Sequence, residues 1–263
     1  MKAVLITGAS AGIGEEFARQ LATQGHNLVL AARRLDRLET LASELRQRHN
    51  LEVVCIASDL AQAGASEKLV ADMATHNVEL TGLINNAGFG DRGDFSDLPL
   101  QRQLDMIQVN VTALVDLTWR LVPQLKASSH STTAGVGAFV INVASTAAFQ
   151  AGPNMSIYYA SKAFVLSFSE GLHEELKKEG VAVSALCPGA TASEFAQEAN
   201  MTNTLLFKAG TMTTEAVVSK ALAGRHRAIV IPGLKNLLMV WLGKLSPRMI
   251  TRRLAGLLSL IHI

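Results

Sequence analysis

Along the chain, short runs in which nearly every position is apolar alternate with longer stretches whose apolar residues recur at helical spacing. Lys2–Thr7, Asn27–Ala31, Glu52–Ala57, Gly82–Asn85, Val136–Val143, Val181–Cys187 and Ala228–Ile231 read as strands. Between them, Ile13–Gln24, Asp36–His49, Gly64–His76, Leu100–Leu125, Ile157–Glu179 and Thr214–Ala223 read as helices. A run such as Ala138-Phe139-Val140-Ile141 lacks the polar alternation of a half-solvated strand. It suits a parallel sheet covered by helices on both faces. The regular alternation predicts an α/β fold, one doubly wound Rossmann-type sheet of about seven parallel strands. No repeat or linker divides the 263 residues, so a single domain over 1–263 is expected. Ser128–Gly137, small and polar, reads as a surface loop before the fifth strand.

The first strand runs into Thr7-Gly8-Ala9-Ser10-Ala11-Gly12-Ile13-Gly14. Glycines here let the backbone turn sharply and approach a diphosphate without a Cβ in the way. The helix opening at Ile13 directs free N–H groups and the positive end of its dipole at such an anion. The spacing is Gly-x-x-x-Gly-x-Gly, which differs from the common dinucleotide fingerprint Gly-x-Gly-x-x-Gly. The second strand ends Ala31-Ala32-Arg33-Arg34. An acidic residue at this place would bind a ribose 2′-hydroxyl, whereas arginine accommodates a 2′-phosphate. Guanidinium and phosphate pair through charge-assisted hydrogen bonds, so Arg33 and Arg34 point to NADP(H) rather than NAD.

Tyr158 and Lys162 lie four apart at the start of a helical stretch and share one face. A free phenol titrates near 10, and an ammonium held close by is expected to bring it toward the working range. Tyr159 is turned about 100° away and reads as packing or pocket wall. Ser145 ends the fifth strand, where the carboxyl ends of strands line the crevice of a doubly wound sheet.

These segments together resemble the short-chain dehydrogenase/reductases over about residues 2–195: the glycine turn, Asn85-Asn86-Ala87-Gly88, and Ser145 followed by Tyr158-x-x-x-Lys162. The resemblance implies a catalytic set of Asn110, Ser145, Tyr158 and Lys162. It implies cofactor contacts at Gly8, Ser10, Gly12, Ile13, Gly14, Arg33, Arg34, Asp59, Leu60, Asn86, Ala87, Gly88, Tyr158, Lys162, Pro188, Gly189 and Thr191. Ser193 competes with Thr191 for the last of these roles. The reaction implied is hydride transfer between NADP(H) and a carbonyl or secondary alcohol, with Tyr158 as acid/base and Asn110 holding a water next to Lys162. A non-catalytic sensor on the same fold would show a damaged site, and all four residues are present. No metal is implied, since the seven histidines are scattered without ligand spacing. Residues 190–212 are expected to form a substrate flap, with Phe195, Met201, Leu205, Leu206 and Phe207 offering an apolar pocket. The long helices Leu100–Leu125 and Ile157–Glu179 resemble those that pair subunits in the family, so a homodimer or homotetramer is expected.

Composition adds three points. A formal charge of +2 does not argue for nucleic acid, but its distribution is uneven. From Ala216 to Ile263 there are eight Lys or Arg and no Asp or Glu, so the tail is a basic annex to an acidic body. Within the extension 233–263, Ile250, Leu254, Leu257, Leu258 and Ile261 share a helical face opposite Arg248 and Arg252. The run Leu237–Leu242 is too short to span a bilayer. Two readings stay open for this extension, an interfacial membrane helix or packing on the core or a partner subunit. Apolar residues at 49% fit either. Cys55 and Cys187, in apolar runs, read as buried reduced thiols, and no signal peptide is recognised, so a cytoplasmic, or membrane-peripheral, enzyme is expected.

Overall fold

The computed structural model describes residues 1–130, 137–199 and 210–260. Most of the loop before the fifth strand lies outside the described residues. So do Met201, Leu205, Leu206 and Phe207 of the flap, Ile261, and the side chains of Leu254, Leu257 and Leu258.

Seven strands form one sheet: β1 Lys2–Thr7, β2 Asn27–Ala32, β3 Val53–Ala57, β4 Glu79–Asn85, β5 Phe139–Val143, β6 Ala182–Leu186 and β7 Ile229–Val230. Their order is β3-β2-β1-β4-β5-β6-β7, and each neighbouring pair is parallel. The sheet is thus wound outward in both directions from β1 and β4, and a crevice opens at their carboxyl ends.

Side chains alternate across the sheet as strand geometry requires. Val4 and Ile6 of β1 enter the core beneath α1 (Gly12–Thr23), α2 (Leu35–His49) and the later helix Thr214–Ala223, among Phe17, Leu21, Leu38 and Val217. Ala3 and Leu5 enter the opposite layer, beneath α3 (Ala65–Thr75), α5 (Leu114–His130) and α6 (Ser156–Lys177), among Leu69, Leu121 and Leu176. Both faces of the strand are buried, which explains its unbroken apolar run.

Two departures from the sequence pattern have local causes. β4 starts at Glu79, three residues before its apolar run, because its register with β1 shifts between Ala3 and Val4. Thr81, skipped by the ladder, donates its hydroxyl to the carbonyl oxygen of Ala3 at 3.1 Å instead. The helix expected over Leu100–Leu125 is α4 (Leu100–Ile107), then a π-helical stretch, Gln108–Ala113, then α5. Such wide turns inside helices often mark functional positions.

A polar seam crosses the core under the crevice. Asn85 and Asn142 stand opposite each other in β4 and β5, and Asn85 Nδ2 donates to Asn142 Oδ1 and Thr118 Oγ1, each at 2.9 Å. Asn142 Nδ2 donates in turn to Ser169 Oγ at 2.9 Å. Buried amides need partners, and these bonds fix α5 and α6 against the sheet.

After β6 come the short α7 (Phe195–Glu198), α8 (Thr214–Ala223), and after β7 two further helices, α9 (Leu234–Leu245) and α10 (Arg248–Leu260). Among the described residues, no helix is long and apolar enough to cross a membrane.

Candidate active site

The crevice is a cavity of about 560 Å³ that reaches from the turn after β1 to the C-terminal helices. At its floor, Gly8 and Gly12 have φ of +64° and +60°, the region that favours glycine. A Cβ on Gly8 would lie 2.8 Å from Asn86 Nδ2, and one on Gly14 would collide with the Gly8 carbonyl oxygen. Asn86 Nδ2 fills that space by donating to the carbonyl oxygens of Thr7 (2.9 Å) and Gly8 (3.1 Å). Gly8, Ser10, Gly12 and Ile13 therefore line the cavity, while Gly14 lies behind it. Helix α1 has Ala11 at its N-cap and no side-chain capping bond. Its first N–H groups are thus left for an anion in the cavity, and the turn fits a dinucleotide diphosphate.

Beside the turn, Arg33 and Arg34 line the cavity. Arg34 donates to Ser10 Oγ at 3.2 Å and pairs with Glu194 at 3.0 Å, and Arg37 pairs with the same carboxylate at 2.6 Å. Arg37, then Arg34, hold Glu194 below the usual carboxylate range. Of the two arginines expected to meet a 2′-phosphate, Arg34 is thus already paired with an anion, and its companion there is Arg37 rather than Arg33. Asp59 and Leu60 also line the cavity, and Asp59 Oδ1 accepts from the Ala61 N–H at 3.2 Å, closing its own turn.

Ser145 lies just beyond β5 and caps the 3₁₀ turn Thr146–Phe149, its hydroxyl accepting from the Ala147 N–H at 3.1 Å. Tyr158, in the first turn of α6, is buried, and its phenol stands near the Ser145 hydroxyl. Burial pushes its phenol above the ordinary value, and the nearby Ser145 offsets only part of that. One turn on, buried Lys162 donates to the Val143 carbonyl oxygen at 2.8 Å, with Nζ 5.8 Å from the centre of the Tyr158 ring. Burial lowers its ammonium from 10.5 to about 8. The lysine was expected to draw the phenol down. Instead, desolvation dominates both groups, and the ammonium is aimed at Val143.

Asn110 sits in the π-helical stretch and is buried behind the cavity wall. Its Oδ1 accepts from the Phe89 N–H at 3.1 Å, and its Nδ2 donates to the Phe89 carbonyl oxygen and to Ser161 Oγ, both at 3.0 Å. A Cβ on Gly88 would fall 2.9 Å from Asn110 Oδ1 and 3.4 Å from Lys162 Nζ. The missing side chain of Gly88 is what allows both Asn110 and Lys162 to come this close to the chain here. Asn86, Ala87 and Gly88 line the cavity, as do Pro188, Gly189, Thr191 and Ser193. Thr191 donates its hydroxyl to the Gly189 carbonyl oxygen at 3.0 Å. Ser193 lies across from Gly12, 3.1 Å from the place a Cβ would take.

The far wall is apolar and was only partly visible in the sequence. Phe195 packs on Tyr158 with ring centres 5.4 Å apart, and Phe149, Met155 and Tyr159 continue the wall. Met239, Val240 and Gly243 of α9 and Ala255 of α10 close it. No motif marks these four positions. Their only signal was the apolar character of the tail. Of the two cysteines, Cys187 is buried, Cys55 is half-buried, and both are free thiols. Burial pushes each up to about 12.

Residues 2–204 match the short chain dehydrogenase family, and the chain belongs to it. The family comprises oxidoreductases that act on CH–OH donors. The chain is 37% identical over 201 residues to sulfoacetaldehyde reductase of Chromohalobacter salexigens, a match covering 73% of each chain. It is also similar to a short-chain dehydrogenase from Sphingobium yanoikuyae solved in complex with NADPH, with TM-score 0.79, 33% identity and 89% of each chain covered. A 7beta-hydroxysteroid dehydrogenase structure superposes with TM-score 0.85 at 27% identity, covering 97% of this chain and 96% of the other.

The buried ammonium gives a direct check on the site. In protein purified without nucleotide, the Cε resonance of Lys162 should titrate near pH 8, well before the exposed lysines. A midpoint at the ordinary 10.5 would contradict the burial described above.

Proposed function

We propose that the protein is an NADP(H)-dependent oxidoreductase that reduces a carbonyl, or oxidises the matching secondary alcohol, with Tyr158 as acid/base. The observation that carries this reading is the buried Tyr158 phenol beside Ser145, one helical turn from Lys162, in a cavity whose other end is the glycine turn. When bound, the nicotinamide supplies or accepts the hydride. The remaining work falls to the chain.

The buried Tyr158 phenol keeps its proton at neutral pH and can serve as the acid in the direction of reduction. Tyr158 gives its proton to the carbonyl oxygen, and the Ser145 hydroxyl donates to that oxygen as negative charge grows on it. The Lys162 ammonium stabilises the phenolate left behind. It is charged below about pH 8, so this support weakens as pH rises through that value. Asn110 keeps the Phe89 segment and α6 in place through its three hydrogen bonds. In the alcohol-oxidising direction the same groups act in reverse.

The preference for NADP(H) rests on Arg33 and Arg34 and on the absence of an acid at Ala32. A 2′-phosphate would meet the Arg34 guanidinium that Glu194 now holds. The substrate end is walled by Phe149, Met155, Tyr159, Phe195 and Met239, and the nearby Arg102 is tied to buried Asp91 at 2.6 Å. These walls favour a carbonyl with a bulky apolar body over a small acid. We also propose a homodimer paired through α4, α5 and α6, where Leu100, Leu104, Trp119 and Phe164 are exposed.

The primary test follows oxidation of NADPH and NADH against bulky ketones and aldehydes. Tyr158→Phe should lower kcat by about 10²–10⁴-fold while NADPH still binds. Arg34→Ala should weaken NADPH about tenfold to a hundredfold and leave NADH nearly unchanged. Equal use of both cofactors by the unaltered protein would remove the arginine argument. For the dimer, Trp119→Glu should sediment as a monomer, and an unchanged sedimentation coefficient would place the interface elsewhere.

A further inference from the structure

We propose that α9 and the start of α10 form a docking surface for an anionic lipid bilayer. The inference concerns a surface and stands whether or not the reading of the reaction holds. Helix α9 rests on the body along a narrow stripe of Asn236, Val240 and Gly243, and of its apolar residues only Val240 is buried. Lys244 helps hold it there, 5.0 Å over the Phe149 ring. The rest of the helix faces outward: Leu234 is 87% exposed, Leu238 60%, Trp241 58%, Leu242 56% and Leu245 77%, and Met249 and Ile250 of α10 extend the patch. Isolated exposed apolar residues are ordinary, but a contiguous patch of this kind marks an interaction surface.

Charge decides among the occupants. The patch is framed by Lys235, Lys244, Arg248, Arg252 and Arg253, within a segment from Ala216 onward that holds no Asp or Glu. A two-fold contact between copies centred on α9 would set this basic surface against itself. Anionic headgroups complement it, and acyl chains take up the leucines and Trp241 between the cations, as interfacial helices do. With 12 residues, α9 is roughly 18 Å long, too short to cross an apolar layer of about 30 Å, so it lies in the plane of the surface. Met239, half-exposed on this helix, also lines the crevice, so the docked face adjoins the mouth of the cavity.

The test uses full-length protein carrying Trp119→Phe, which leaves Trp241 as the one tryptophan. Flotation and Trp241 emission are followed with vesicles of phosphatidylcholine alone and of an equimolar mixture with phosphatidylglycerol. The expected result is co-flotation with the mixed vesicles, a blue shift, and quenching by brominated acyl chains. Leu238→Glu with Leu242→Glu, both outside the cavity wall, should abolish flotation without lowering turnover of a water-soluble carbonyl. Arg252→Gln and Arg253→Gln should each lower partitioning about fivefold. Three results would overturn the proposal: no flotation with mixed vesicles, equal partitioning into neutral vesicles, or flotation indifferent to the two glutamates. A fourth is a loss of self-association in the glutamate variant when the parent ignores vesicles, since a second copy would then be the occupant.

Discussion

The clamp between the ends of β1 and β4 sets everything at the carboxyl edge of the sheet. Thr7 Oγ1 accepts from the Asn86 and Ala87 N–H groups at 3.1 and 3.0 Å, and the Asn86 amide reaches back to the Thr7 and Gly8 carbonyl oxygens. These bonds form only because Gly8 and Gly14 carry no Cβ where the Asn86 amide sits. The two strands from which the sheet is wound in opposite directions are thereby fastened where their connections diverge. The crevice opens at that point, the N-terminus of α1 faces into it, and Gly88 is carried on to the place where Asn110 and Lys162 close in on the side it leaves open.

The crevice joins two environments. At the end beside the glycine turn, exposed Arg34 and Arg37 share one carboxylate, and their interactions are exchangeable with solvent ions. At the other end, Tyr158, Lys162 and Asn110 are buried, and the lysine and the asparagine are held by backbone groups and a hydroxyl. The seam of Asn85, Asn142, Thr118 and Ser169 lies beneath this second environment. It ties two polar side chains together across an otherwise apolar sheet core, since β4 and β5 align Asn85 with Asn142.

Much of this was legible in the sequence, because β-α alternation and local spacing carry it. The strands of unbroken apolar residues, the glycine turn, and the four-residue separation of Tyr158 and Lys162 all express geometry within a few residues. What escaped depends on distant partners. The start of β4 was hidden because Glu79 and Thr81 are polar and pair only through a register shift with β1. The π-helical stretch holding Asn110 has no local signature, since Gln108–Ala113 suits an ordinary helix. The raised phenol of Tyr158 comes from burial among residues far along the chain, against the simple expectation from a neighbouring lysine. The role of α9 and α10 in closing the cavity was invisible, because amphipathic spacing says which face is apolar and not what it will meet.

The cavity wall draws on residues from Gly8, at the end of the first strand, to Ala255, in the last helix. No fragment of the chain retains it, so unfolding dismantles the binding site as a whole. A small molecule held there therefore favours the native state by mass action, by about 2.7 kcal/mol at a hundredfold excess over its Kd. The stability of the folded chain is in this way linked to the concentration of whatever fills the crevice.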